Sequence, residues 1–350
     1  MSVFVPFAVK CDAAMTQLGW IDYLNLLPML HELRAAYGDE LTMTSGHPTH
    51  VNALLAAGEV ALAPCSSALL AFSPSVEVAV PIGIASFGTV RSVYLGLAQP
   101  NPALETAIER RQSRLRQWFM TREGFSPCEA PALAAGVTTH ADTTFADDAL
   151  EQGSPPVLSL TPASAASATL ARIFCRLWFG APAPEAGLAD ASTHTEHPRL
   201  ELLIGDVALQ ERSRFSRIFD LGEMWREATG LPFVFAVWQK NRASKADGRL
   251  QDAVMYAAAR ADLFMKLHPT KYLPSPVPCD TQGMPFDLAE YWGGLSYVLG
   301  RHHLAGLALY LSLIEHLGLG KSPVAHTLER LQLASVTRVD QEQAAHHPLG

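Results

Sequence analysis

The stretch 202–238, LLIGDVALQERSRFSRIFDLGEMWREATGLPFVFAVW, constrains the fold of this chain more than any other. It reads as a strand over 202–204, an acidic turn at Gly205-Asp206 and a polar surface. An amphipathic helix over 221–229, ended by Gly230, and an apolar strand over 233–238 follow. A strand without polar alternation is covered on both faces, as buried parallel strands are. Two further stretches set its context: IDYLNLLP at 21–28 and AAGEVALAPCSSALLAF at 56–72.

Residues 17–90 alternate strand and helix. Strands are predicted at 17–22, 41–45 and 60–64, with helices between them. Asn25 stands to cap the helix over 26–37, with Pro28 tolerated in its first turn. Pro48 opens the next helix and Gly58 ends it. Ser66 is placed to cap 67–72. Such spacing predicts right-handed βαβ units and a parallel sheet. Further strands fall at 78–85 and 92–98, a helix at 110–121, and a loop or insertion at 122–156. A strand at 157–160 leads to Thr161, which caps a helix with Pro162 in its first position, running to about 179. After a polar linker at 180–199, helices are predicted at 221–229 and 250–268. Two more lie within 287–318, broken near Gly300, and the tail after 335 is frayed.

The pattern is α/β with two lobes: 1–90 plus 235–350, and 91–234 with an insertion at about 99–156. The chain crosses near 86–92 and 231–235. A ligand belongs in the cleft between lobes, where strand ends and helix N-termini converge.

Composition narrows the function. The 350 residues carry a net charge of −8, so there is no basic footprint for nucleic acid. The cluster Arg110, Arg111, Arg114 and Arg116 reads as a solvated helix face. No apolar run is long enough to cross a membrane. Pro6 and Lys10 break the apolar N-terminus, and Lys10 before Cys11 is wrong for a cleavage site, so no signal peptide is expected. The cysteines at 11, 65, 128, 175 and 279 are scattered without CxxC, which fits a reducing cytoplasm with no disulfide or zinc site. Phosphate-loop, dinucleotide and nucleophile-elbow motifs are missing. His47 and His50 lack a third ligand, and His194 and His197 lie in the polar linker. No metal site is expected.

The helix starts carry the chemical signal. Asn25, Ser66 with Ser67, and Thr161 each lie between a strand end and a helix start. There, unpaired N–H groups and the positive end of the macrodipole bind carboxylate or phosphate without Lys or Arg. In Thr161–Ser167 small side chains let an anion approach the backbone, and Ser164 and Ser167 add hydroxyls. Each residue alone is no more than a cap; together on one rim they point to a small anionic ligand. At the first crossing, 84–92, the hydroxyls of Ser86, Thr89 and Ser92, the flexible Gly88 and Arg91 are placed to line the cleft, although Arg91 equally suits a surface ion pair. Asp206 is either ligand-facing or turn-forming.

IDYLNLLP, LAAGEVALAPCSSALL and GDVAL…TGLPFVFAVW together resemble the MqnA family of menaquinone biosynthesis enzymes, the chorismate dehydratases of the futalosine route. The resemblance spans roughly 18–98 and 157–240. It implies a type II periplasmic-binding-protein-like fold, a cytoplasmic enzyme without cofactor, and chorismate, a dianion, as substrate. It also implies that Asn25 is catalytic and that Ser66, Ser67, Ser86, Gly88, Thr161, Ser164 and Ser167 contact the substrate. The segment 99–156 is longer than the family's connection, and Cys65 replaces an aliphatic residue. The rival readings are a cytoplasmic small-anion binding protein or sensor, and the sister enzyme that forms 1,4-dihydroxy-6-naphthoate.

Overall fold

The computed structural model describes residues 17–121, 129–146, 156–180, 185–186, 198–244 and 248–332. Cys11, Cys128, His194, His197 and the tail after 335 lie outside the described residues.

Two sheets organise the chain. The first contains β1 (Leu18–Trp20), β2 (Met43–Ser45), β3 (Leu62–Ser66), β4 (Val76–Ser86), β10 (Phe233–Asn241) and β11 (Leu295–Val298), in the order β11-β4-β10-β3-β1-β2. The second contains β5 (Val93–Leu97), β6 (Val157–Ser159), β7 (Glu185–Ala186), β8 (Arg199–Ile204) and β9 (Arg217–Asp220), in the order β7-β6-β8-β5-β9. The helices of the first lobe are α1 (Leu27–Tyr37), α2 (Pro48–Ala57), α3 (Leu69–Phe72), α9 (Gly248–Leu267) and α10 (Leu288–Gly293). Those of the second are α4 (Pro102–Met120), α5 (Ala130–Ala146), α6 (Ala165–Phe179), α7 (Gly205–Gln210) and α8 (Leu221–Thr229). A last long helix, α11 (Arg301–His316), packs on β10 and α3 of one lobe and on α5 and α6 of the other.

The expected parallel sheet is mixed. β1 pairs parallel with β2 and β3, but β10 is antiparallel to both β3 and β4, and β11 is antiparallel to β4. The reason is the double crossing. The chain leaves through β4 and returns through β10, so the returning strand enters the first sheet from its far end. The second sheet is likewise mixed, with β5 antiparallel to β8 and β9.

Local chemistry explains where expectation and structure part. α8 spans Leu221–Thr229 as predicted, because Asp220 caps it through Gly222 and Glu223 N–H, both at 3.1 Å, and Gly230 closes it at φ +72°. The capping roles expected of Asn25, Ser66 and Thr161 are corrected. A 3₁₀ turn at Leu24–Leu26 precedes α1, and its caps use no side chain. Ser66 lies within β3, and α3 begins only after Ala68. The Thr161 hydroxyl accepts from Ala163 N–H at 3.1 Å and makes a separate turn; Ser164 caps α6 by accepting from Ser167 N–H.

Two longer expectations also change. Residues 130–146, expected as loop, form α5, which buries Ala130, Ala134, Val137 and Ala141 on one face. Its Ala, Gly and Thr content hid a helical stripe of small residues. The region 287–318 holds a strand between its helices, because the Asp262 carboxylate accepts Tyr297 and Val298 N–H at 2.8 and 2.9 Å and fixes LSYV extended.

The core runs through both lobes. Trp20 packs on Trp238 in the first, and Trp225, Phe233 and Tyr310 pack edge to face where the lobes meet. Each such buried aromatic contributes about 1.5–3 kcal/mol by area alone. Among the described residues no helix is long and apolar enough to cross a membrane.

Candidate functional site

A cleft of about 570 Å³, its open mouth included, lies between the lobes. Its apolar walls come from Ile21, Ile84 and Phe235 on one side and Val93 and Ile204 on the other. Its polar lining is Tyr23, Asn25, Ser66, Ser92, Ser164 and Ser167. Among the described lining residues none is Asp, Glu, His, Lys or Arg. The first turn of α6 at Ser164 and Ser167 and the start of α2 at Pro48 open on it, so positive helix ends supply the field that cationic side chains do not.

The turn bearing Asn25 is held at main-chain atoms. Trp292 Nε1 donates to Leu24 O at 2.8 Å, and the buried Tyr297 hydroxyl donates to Asn25 O. Leu24 N–H donates to the Asp206 carboxylate at 3.2 Å, from the other lobe. With its backbone occupied, Asn25 presents a buried Oδ1 that has no protein partner.

Ser66 is built the same way. Its N–H donates to Asn52 Oδ1 at 3.1 Å and its carbonyl accepts from Gln239 Nε2 at 2.9 Å. Its hydroxyl is buried and unpartnered. A buried polar atom without a partner costs free energy unless a ligand satisfies it. Both residues that carry these atoms line the cleft.

The other expected contacts divide. Ser164 and Ser167 line the cleft, and their hydroxyls lie 3.0 Å apart. Ser67, Ser86, Gly88 and Thr161 are not part of the lining. The Ser67 hydroxyl is buried and unpartnered, whereas Ser86 Oγ donates to Gly88 O at 3.0 Å in the crossing. Gly88, at φ +116°, packs there against Gly222: a Cβ on Gly222 would come within 2.5 Å of Gly88 O. Arg91 faces outward and pairs with Glu290. Asp220 locks this crossing by accepting Val90 and Arg91 N–H at 3.1 and 2.7 Å. Burial pushes its carboxyl above the ordinary value against the pull of those donors.

Sequence reasoning missed Tyr23, whereas Ser92 is one of the crossing-segment hydroxyls expected at the cleft, and it lines it. Tyr23 sits within the IDYLNLLP motif, and its hydroxyl is 3.3 Å from His47 Nε2. Burial, and then the charge of Asp206, raise its pKa. Ser92 accepts from the Tyr291 hydroxyl at 3.0 Å. Burial also raises the pKa of Asp206, with Leu24 N–H opposing. Among the described residues no group of three or more His, Cys, Asp or Glu side chains converges as a metal site requires.

Two lobes, two crossings and a cleft between them define the fold class of the periplasmic binding proteins. The fold resembles a protein of Archaeoglobus fulgidus (12% identity, 87% of this chain and 97% of that one, TM-score 0.53). It also resembles the alkanesulfonate-binding protein of Xanthomonas axonopodis pv. citri bound to MOPS (11%, 89% and 96%, 0.53). A third similar structure is the periplasmic aliphatic sulphonate binding protein of Escherichia coli (10%, 88% and 89%, 0.51). Within that fold class the chain belongs to the menaquinone biosynthesis family, whose sequence profile matches residues 16–112 and 143–316. The match omits 113–142, the second half of α4 and most of α5.

Proposed function

We propose that this menaquinone biosynthesis protein is a chorismate dehydratase, forming 3-[(1-carboxyvinyl)oxy]benzoate and water. The observation that carries this reading is the described cleft lining: hydroxyls, the Asn25 amide and helix N-termini, with a buried Asn25 amide oxygen and a buried Ser66 hydroxyl that make no hydrogen bond within the protein. Chorismate brings two carboxylates, a ring hydroxyl and an enol ether. The first turn of α6 and the serines suit a carboxylate, and the apolar walls suit the ring.

The reaction removes the C3 proton and the C4 hydroxyl, and aromatisation drives it. Negative charge developing at C3 delocalises into the ring carboxylate, where fixed donors stabilise it. Among the described lining residues there is no carboxylate or imidazole to act as base. The substrate's own enolpyruvyl carboxylate then takes the proton, and the protein supplies orientation, with Asn25 beside the reacting carbons. The Tyr-Leu-Asn motif at 23–25 and the GDVAL…TGLPFVFAVW block favour this reaction over the sister one that forms 1,4-dihydroxy-6-naphthoate.

The test is purified protein with chorismate, followed by ultraviolet absorbance and product mass. Loss of one water with an aromatic product supports the reading. Tight binding without turnover would make the protein a binder or sensor. Neither, in folded protein, would leave the family without this substrate.

A further inference from the structure

Leu24 and Asn25 are fixed at three main-chain atoms, and the fixing groups come from different lobes. Leu24 O and Asn25 O are held by Trp292 and Tyr297, which belong to α10 and β11 of the same lobe as the turn itself. Leu24 N–H is held by Asp206, on α7 of the opposite lobe, at 3.2 Å. The lobes touch closely here. Gly205 takes φ +62°, and a Cβ on it would come within 2.9 Å of the Tyr23 ring. Gly205 N–H donates to Ser92 O at 2.7 Å, which ties the start of α7 to the crossing strand. A second contact flanks the first: Thr281 N–H donates to Gln210 O at 3.2 Å, at the other end of α7.

We infer that Asp206 is a positioning residue: by accepting Leu24 N–H across the cleft it makes the placement of Asn25 depend on the two lobes being together. Asp206 is not among the described residues lining the cleft, and its carboxylate reaches the site through its bond to Leu24 N–H. Only an acceptor oxygen is required of it. An amide oxygen at the same position serves, whereas a proton-transfer role needs the carboxylate. That difference separates this role from general-base catalysis.

The experiment compares Asp206→Asn and Asp206→Ala with the wild-type protein by two readouts. The first is amide hydrogen exchange in the peptide containing Leu24, which needs no activity. The second is the separation of kcat from KM with chorismate, which rests on the function proposed above. In Asp206→Ala, exchange at Leu24 should quicken by about tenfold to a hundredfold, the worth of one hydrogen bond to a charged acceptor. Exchange elsewhere should hold, and kcat should fall by a similar factor with KM little changed. Asp206→Asn should bring both back to within about threefold of wild type. Should Asp206→Ala fail to fold, Leu24→Pro deletes the same bond from the donor side, at the first residue of the 3₁₀ turn where proline fits, and should give the same loss of kcat. Unchanged exchange in Asp206→Ala would overturn the inference. So would an Asp206→Asn protein with normal exchange and no turnover, which would make Asp206 a base. Wild-type protein that leaves chorismate untouched would sink the proposed function alone, and the exchange readout would still decide the role of Asp206.

Discussion

The buried hydroxyl of Tyr297 donates to the main-chain carbonyl of Asn25, 272 residues earlier in the chain. A residue of the C-terminal β11 thereby holds in place the turn that carries Asn25, which lines the cleft. Tyr297→Phe keeps the ring in its packing and removes only this bond. It should cost about 1 kcal/mol of stability, the usual net worth of one hydrogen bond. Turnover of chorismate should drop by more than that loss explains. Denaturant unfolding beside steady-state kinetics checks both, and unchanged kcat would remove Tyr297 from any role at the site.

Ser66→Ala should separate stability from function. The hydroxyl is buried and unpartnered, so the empty protein loses nothing by its removal and gains up to about 1 kcal/mol. Chorismate binding should weaken by about fivefold to tenfold. A thermal shift paired with calorimetric titration reads both signs. A less stable variant that binds normally would show that Ser66 is structural.

Gly222→Ala tests the crossing. The added carbon would stand 2.5 Å from Gly88 O, on the segment joining β4 to β5, and 2.7 Å from Oγ of Ser86, the last residue of β4. Backbone has little room to yield there, and the cost should be about 1–3 kcal/mol. A melting temperature equal to wild type would contradict this close approach.

Stability should depend on pH through Glu32, which is 2% exposed. Burial pushes its pKa up, but Lys271, Arg260 and Tyr272 all donate to it and hold it below the ordinary carboxylate value. A carboxyl depressed by folding stabilises at pH above its unfolded value, about 4.3, and that contribution disappears as pH falls through the folded value. Glu32→Gln should lose about 2 kcal/mol at neutral pH, less than for a fully buried pair because Arg260 and Lys271 are 39% exposed. Below pH ~4 the gap to wild type should narrow. A gap that stays constant from neutral to acid pH would exclude ionised Glu32 as its source.

The sequence was most legible where local rules act alone. Leu221–Thr229 has its capping Asp220 and closing Gly230 in place, and the structure follows them residue for residue. The parallel alternation of β1, β2 and β3 was equally open to reading. Tertiary effects hid the rest. No local signal says that β10 returns antiparallel between β3 and β4, because that follows from the second crossing. β11 is extended because Asp262 of α9 holds it. At the site, Asn25, Ser66, Ser164 and Ser167 were visible as polar residues near helix starts. Asn52, Gln239, Trp292 and Tyr297, which hold the backbone at or beside Asn25 and Ser66, lie 14 to 272 residues away and carry no motif.

The most direct measurement is the reaction of chorismate with wild-type and Asn25→Ala protein side by side, read by product mass and ultraviolet absorbance. The wild type should yield an aromatic product lighter by one water. Asn25→Ala should fold and bind but turn over at least about a hundredfold more slowly, as expected when a transition-state contact is removed. A wild-type protein that binds chorismate and returns it unchanged, or an Asn25→Ala protein at full rate, would contradict the proposed chemistry of this cleft.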